Sequence, residues 1–140
     1  MALDLGSLRL ATDSYRRAVG AACSDVKMSM LDADQKDTIR AGVIQNFEFT
    51  YELCWKFMKR WLDNSLGSSR VDGVTRRELF RLAAEHQLID DVDRWMAYHD
   101  ARNETSHGYD RGSAEAVFLV AVKFLPDAGQ LLQCLEMKND

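Results

Sequence analysis

The chain has 140 residues, 46% of them apolar and 29% charged, with 18 basic against 22 acidic residues and a formal net charge of −4. That length suits one domain, 1–140, whose core is large enough to stand without disulfides or a metal. The acidic balance argues against bulk coating of nucleic acid, because each phosphate contact needs a cation, but it leaves room for a local basic patch.

The opening stretch MALDLGSLRL has no basic run leading into an apolar core, so no signal peptide is expected. Leu5, Leu8, Ala11, Tyr15, Ala18, Val19 and Ala22 recur at three and four residues, which predicts a first helix over 3–22. A polar connector is expected around 27–34. A second, long helix follows over 37–64, with Val43, Ile44, Phe47, Tyr51, Cys54, Trp55, Met58, Trp61 and Leu62 on one apolar face. NSLGSSRVDG ends it with glycine and serine. Thr75 with Glu78 three residues later reads as a capping box for a third helix, 75–86, with Leu79, Leu82 and Ala83 facing inward.

Asp90 and Asp91 can cap a fourth helix that carries Val92, Trp95, Met96 and Tyr98 and stops near Gly108. The fifth, 113–136, is apolar nearly all round, which suggests the most buried helix, and Pro126 should kink it. The expected fold is therefore all-α, an up-and-down bundle of about five helices on a four-helix core. The apolar stripe of the long helix is generous for one small bundle, and a homodimer would absorb it. The longest apolar run, 116–122, is too short to span a bilayer, so no membrane role is expected. Cys23, Cys54 and Cys134 are odd in number and form no CxxC pair. They read as free thiols of a reducing compartment, which points to the cytoplasm.

The chemistry gathers in RNETSHGYD, Arg102 to Asp110. Arginine matches paired phosphate oxygens, and histidine titrates near working pH. Arg102 and His107 are about 140° apart on an ideal helix, so they meet only if the last turn unwinds or across a two-fold axis. Brought together, they suit metal-independent RNA cleavage. His107 would move a proton at the 2′-hydroxyl or the leaving oxygen, while Arg102 would bind the scissile phosphate. Asn103, Ser106 and His99 would support the site, and Tyr109 would contact a phosphate or stack on a base. Arg76, Arg77, Arg81 and Arg94 are the candidates for an RNA groove. Two other readings stay open: a structural network in which Asp100, Glu104 or Asp110 pairs with Arg102, and ligand binding without turnover. No three histidine, cysteine or carboxylate residues have metal-ligand spacing, and no cofactor motif appears, so neither metal nor cofactor is expected.

The order Arg102, four residues, His107, one residue, Tyr109 resembles the R-x-x-x-x-H-x-Y signature of HEPN-domain proteins. With the long helix IQNFEFTYELCWKFMKRWL and the final helix after DRGSAEAV, the whole chain looks like the nucleotidyltransferase substrate-binding proteins. That resemblance implies a dimerising helical bundle with the motif near a cleft between protomers, encoded beside a minimal nucleotidyltransferase. It further implies a toxin–antitoxin module in which the helical protein is a ribonuclease with Arg102 and His107 as its catalytic pair. The transferase would restrain it by attaching AMP to Tyr109. An alternative within the same resemblance is a non-catalytic subunit that holds a nucleotide or phosphorylated ligand for the transferase.

Overall fold

The computed structural model describes residues 2–105 and 111–139, which form seven helical segments and no strand. Helix α1 (Gly6–Ala22) turns Leu8, Ala11, Thr12, Tyr15 and Val19 inward, at the expected spacing. The expected connector instead holds a short helix, α2 (Asp25–Ser29). The Ser24 side chain starts it by accepting from the Lys27 amide at 3.3 Å, and Met28 is buried.

Helix α3 (Ala33–Leu66) has 34 residues, about nine turns. It begins four residues before the predicted start because Asp32 and Gln35 form a complete capping box. The Gln35 amide donates to Asp32 at 2.8 Å, and the Asp32 amide donates to the Gln35 side chain at 3.0 Å. Gly67 ends the helix at φ 90°, a conformation only glycine adopts without strain. One further turn, α4 (Ser68–Val71), buries Val71 completely. Lys59 ties this corner together, reaching Asp63 and Asp72 at 3.2 Å each.

In α5 (Arg76–Glu85), Thr75 accepts from the Glu78 amide at 3.2 Å, the forward half of the expected capping box. Phe80 joins Leu79 and Ala83 in the core, while Leu82 is only half-buried. Asp91 caps α6 (Val92–Glu104) by accepting from the Arg94 amide at 3.0 Å, and Trp95 and Tyr98 form its buried surface.

Helix α7 (Arg111–Met137) runs through Pro126 without interruption. It is not buried all round. Val117, Ala121, Phe124, Ala128, Leu131 and Leu135 face the core, whereas Leu119 is largely exposed. By length and composition alone Gly112–Met137 could cross a bilayer, which the short run 116–122 did not suggest. In the bundle it serves as a core helix, with Asp127 buried near its middle.

Helices α1, α3, α6 and α7 make the four-helix core. Phe118 of α7 meets Arg40, and Phe124 meets Phe47 and Tyr51, so α7 runs in the direction of α3. Helix α1 opposes α7: Tyr15 donates to the Ala121 carbonyl, while Arg9 lies 3.8 Å from Glu136. Helix α6 also opposes α7, with Tyr98 against Phe124 and Arg94 on Asp127. At the bundle's end the Asn139 side chain accepts from the Leu3 amide at 2.7 Å and donates to its carbonyl at 2.9 Å, clasping the two termini together.

Candidate functional site

The position of α6 is set by a polar anchor at its N-terminal half. The Arg94 guanidinium takes both oxygens of buried Asp127, at 2.8 and 2.9 Å, and also Asp90 at 2.7 Å. The Tyr98 hydroxyl donates to Asp127 as well. Charge-assisted, two-pronged contacts of this kind fix orientation as well as distance. They raise the Arg94 pKa, chiefly through the Asp127 hydrogen bond.

At the other end of α6, Arg102 turns toward α3. Its Nε lies 3.4 Å from Glu52 and its Nη1 3.7 Å from Glu48, with the side chain about one-quarter exposed (27%). Nε is buried, and its approach to Glu52 is an ion pair rather than an aligned hydrogen bond. Nη1 also donates to the Thr105 hydroxyl at 3.2 Å, and that hydroxyl donates to the Arg102 carbonyl at 2.7 Å. These contacts use Nε and Nη1; Nη2 takes no part in them.

Glu52 is itself held, since the Trp55 indole N–H donates to its other oxygen at 3.0 Å. The Arg76 guanidinium carbon sits over the Trp55 ring, 3.5 Å from its centroid. Burial lowers the Arg76 pKa, and its buried Nη1 has no hydrogen-bond partner among the described residues.

One turn before Arg102, His99 bridges α3 and α6. Its Nδ1 lies 2.8 Å from the hydroxyl of fully buried Tyr51, and its Nε2 lies 3.3 Å from the Asn103 amide nitrogen. With Asn103 donating to Nε2, the Nδ1 proton goes to the Tyr51 oxygen. Burial, then the Arg76 charge, lowers the His99 pKa, so the ring is neutral at pH 7.

Beside Arg102 an open groove of about 550 Å³ runs along α3, lined by Gln45, Asn46, Glu48, Phe49, Glu52, Leu53, Lys56 and Arg102. Phe49 is 60% exposed. The groove can take a flat ring on Phe49 and a phosphate at Arg102 or Lys56.

The structure thus gathers Arg102, Asn103 and His99 at one place. Ser106, His107 and Tyr109 lie outside the described residues. The four arginines expected to line a groove do not come together there. Arg76 covers Trp55, Arg77 pairs with Asp93 at 3.0 Å, Arg94 is bound to Asp127, and Arg81 is exposed on α5; none lines the groove. Helical periodicity explains part of the scatter: residues 77 and 81, four apart, share one face of α5, while 76 points about 100° away from 77. Of the acids expected near Arg102, Asp110 lies outside the described residues; among the described residues the carboxylates that reach it are not Asp100 or Glu104 but Glu48 and Glu52 of α3. Their i, i+4 spacing puts them on one helix face, a signal the sequence does contain. Only packing says which basic residue they meet. Cys54 is fully buried, and burial raises its pKa, as suits an unreactive thiol. Among the described residues no group of three histidine, cysteine or carboxylate side chains is placed to hold a metal.

Comparison with known proteins places this four-helix bundle and the groove along its long helix. The chain belongs to the nucleotidyltransferase substrate binding protein like family, whose model matches residues 3–137. It is 40% identical over 105 residues to a Haemophilus influenzae protein named probable ribonuclease HepT, covering 74% of this chain and 72% of that one. A solved Haemophilus influenzae structure, described as the fold of a substrate binding domain of a nucleotidyltransferase, superposes with a TM-score of 0.90 at 35% identity. The match covers 95% of this chain and 99% of the other. A crystal structure from Thermus thermophilus shares the fold, with a TM-score of 0.66 at 24% identity over 89% and 98% of the two chains.

Proposed function

We propose that the protein is a metal-independent ribonuclease, the toxin half of a toxin–antitoxin module, restrained by a minimal nucleotidyltransferase that transfers AMP to Tyr109. The observation that carries this reading is Arg102, mostly covered (27% exposed) at the edge of an open groove, on the last turn of α6. The five residues that follow α6 and Thr105 include His107 and Tyr109. The name borne by the 40% identical relative supports it.

In the proposed reaction the ribose 2′-oxygen attacks the adjacent phosphorus and the bond to the 5′-oxygen breaks, leaving a 2′,3′-cyclic phosphate and a 5′-hydroxyl. Neutral His107 takes the 2′ proton, or its protonated form supplies one to the departing oxygen. Arg102 offsets charge on the phosphorane. For restraint, the Tyr109 oxygen attacks the α-phosphorus of ATP, pyrophosphate leaves and the phenol proton passes to solvent. The added phosphate then occupies Arg102 and excludes RNA. A homodimer working in the cytoplasm completes the reading, and the exposed Phe49 beside the groove supports a second copy packing close to the site.

The test is cleavage of total RNA and tRNA in the presence of a chelator. His107→Gln is expected to lower cleavage on the order of a hundredfold or more. With the transferase and ATP added, intact mass should rise by AMP units and cutting should fall, and Tyr109→Phe should abolish both effects. Undiminished cutting by His107→Gln would remove the catalytic assignment.

One observation favours a second reading. The groove carries Glu48 and Glu52 against Lys56 and Arg102, so it is electrically balanced, and its volume suits a small ligand. A non-catalytic subunit that holds a nucleotide or phosphorylated ligand for the transferase would fit that balance. It would show no cleavage while retaining a transferase complex.

A further inference from the structure

Arg102 is not left to find its own orientation. A lone arginine on the last turn of a helix samples many rotamers, and a phosphate-binding fork is useful only when the correct edge faces the ligand. Here the Nε edge turns toward Glu52 at 3.4 Å. Glu52 cannot simply swing to follow Arg102, because the Trp55 indole N–H holds its second oxygen at 3.0 Å. Trp55 in turn is covered by the Arg76 guanidinium at 3.5 Å. Glu48 approaches at a looser 3.7 Å.

We infer that Glu52 is a positioning residue for Arg102, fixed by the Trp55 indole N–H, and that this pair decides which edge of the Arg102 guanidinium meets a substrate phosphate. The inference rests on the ribonuclease reading above. Among the described residues the contacts to Glu52, Glu48 and Thr105 engage Nε and Nη1, so Nη2 is the edge they turn toward an incoming phosphate oxygen. The Nε–Glu52 contact is long and poorly aligned without ligand, and catalytic contacts of this kind commonly tighten when substrate binds. A purely electrostatic role for Glu52 has the opposite consequence. A carboxylate that only competes with phosphate for Arg102 slows the reaction, so its removal would speed it.

The experiment compares the full-length protein with Glu52→Ala, Glu52→Gln and Trp55→Phe, each checked for an unchanged helical spectrum and melting profile. Trp55→Phe keeps an aromatic ring beside Arg76 and removes the N–H together with part of the indole, a loss of volume that the melting profile registers separately. Steady-state cleavage is read alongside the ¹⁵N–¹H correlation of Arg102 Nε, identified as the one lost in Arg102→Lys. Glu52→Ala and Trp55→Phe are expected to lower kcat by about tenfold, because a small misplacement of a catalytic group is costly. KM should change by less than about threefold, since phosphate charge is still met. Glu52→Gln should lose as much as Glu52→Ala, because with its amide oxygen accepting from Trp55 its NH2 faces the Arg102 Nε–H, and two donors cannot bond. The Nε correlation should shift in Trp55→Phe as well as in the Glu52 variants. Cleavage that rises in Glu52→Ala, or an Nε correlation and kcat unmoved in Trp55→Phe, would overturn the inference. If the wild-type protein cuts no RNA, the ribonuclease reading fails by itself. The Nε correlation then decides the Trp55–Glu52–Arg102 arrangement separately: a shift in Trp55→Phe upholds it and an unmoved signal ends it.

Discussion

His99 carries a titration that follows from its surroundings. Burial and then the Arg76 charge lower its pKa in the folded chain, while Asp100 and Glu52 oppose the shift without reversing it. In the unfolded chain the ring titrates near its ordinary 6.5. Between the folded and unfolded pKa values the unfolded state therefore binds more protons, and stability rises with pH. The neutral ring's contribution is complete above about pH 6.5 and is lost as pH falls through the lower, folded pKa. His99→Gln retains a donor and an acceptor for Tyr51 and Asn103 but does not titrate. Denaturant midpoints at about pH 7.5 and about pH 5.5 should fall further for wild type than for the variant. Equal falls would mean that protonation of His99 is not resisted by the fold.

At the scale of the elements, α6 matters because it carries Arg102, and Asp127 fixes α6 to α7. Asp127 sits directly after Pro126, buried to 8% exposure, and serves Arg94 and Tyr98 together. Asp127→Ala leaves the Tyr98 hydroxyl without that acceptor and releases a guanidinium that is 40% exposed and can return to water. The cost should therefore be about 2 kcal/mol, below that of a fully buried pair, measurable by urea unfolding. Asp32→Ala should cost about 1 kcal/mol through the lost cap of α3. Apolar periodicity made all five long helices legible, because one face of each is buried. The start of α3 was misread because polar composition around 27–34 outweighed the Asp32–Gln35 cap, and α2 was hidden for the same reason. Within the site, Arg102, Asn103 and His99 could be named from one local stretch. Glu52 and Trp55 could not, since Glu52 is remote from Arg102 along the chain and only the α3–α6 packing closes that distance.

Over the whole molecule, one ring organises the interior. Phe124 lies edge-on to Phe47 at 5.4 Å and to Trp95 at 5.2 Å, and it touches Tyr15, Tyr51 and Tyr98 as well. All four core helices thus converge on one side chain, which leaves charge, rather than packing, to decide what the exterior attracts. The net charge is −4, and Arg77 and Arg94 are already matched to acids. The groove offers two cations, Lys56 and Arg102, for phosphate. Each phosphate neutralised by a single-stranded RNA contributes about −0.7 to the slope of log affinity against log salt. Two contacts per groove give a slope no steeper than about −1.4. Affinity for a short single-stranded RNA, measured on His107→Gln so that substrate survives, should therefore weaken only gently as salt rises. A slope several times steeper would mean that arginines outside the groove reach the RNA, with Arg76, Arg77 and Arg81 of α5 the first to replace by glutamine.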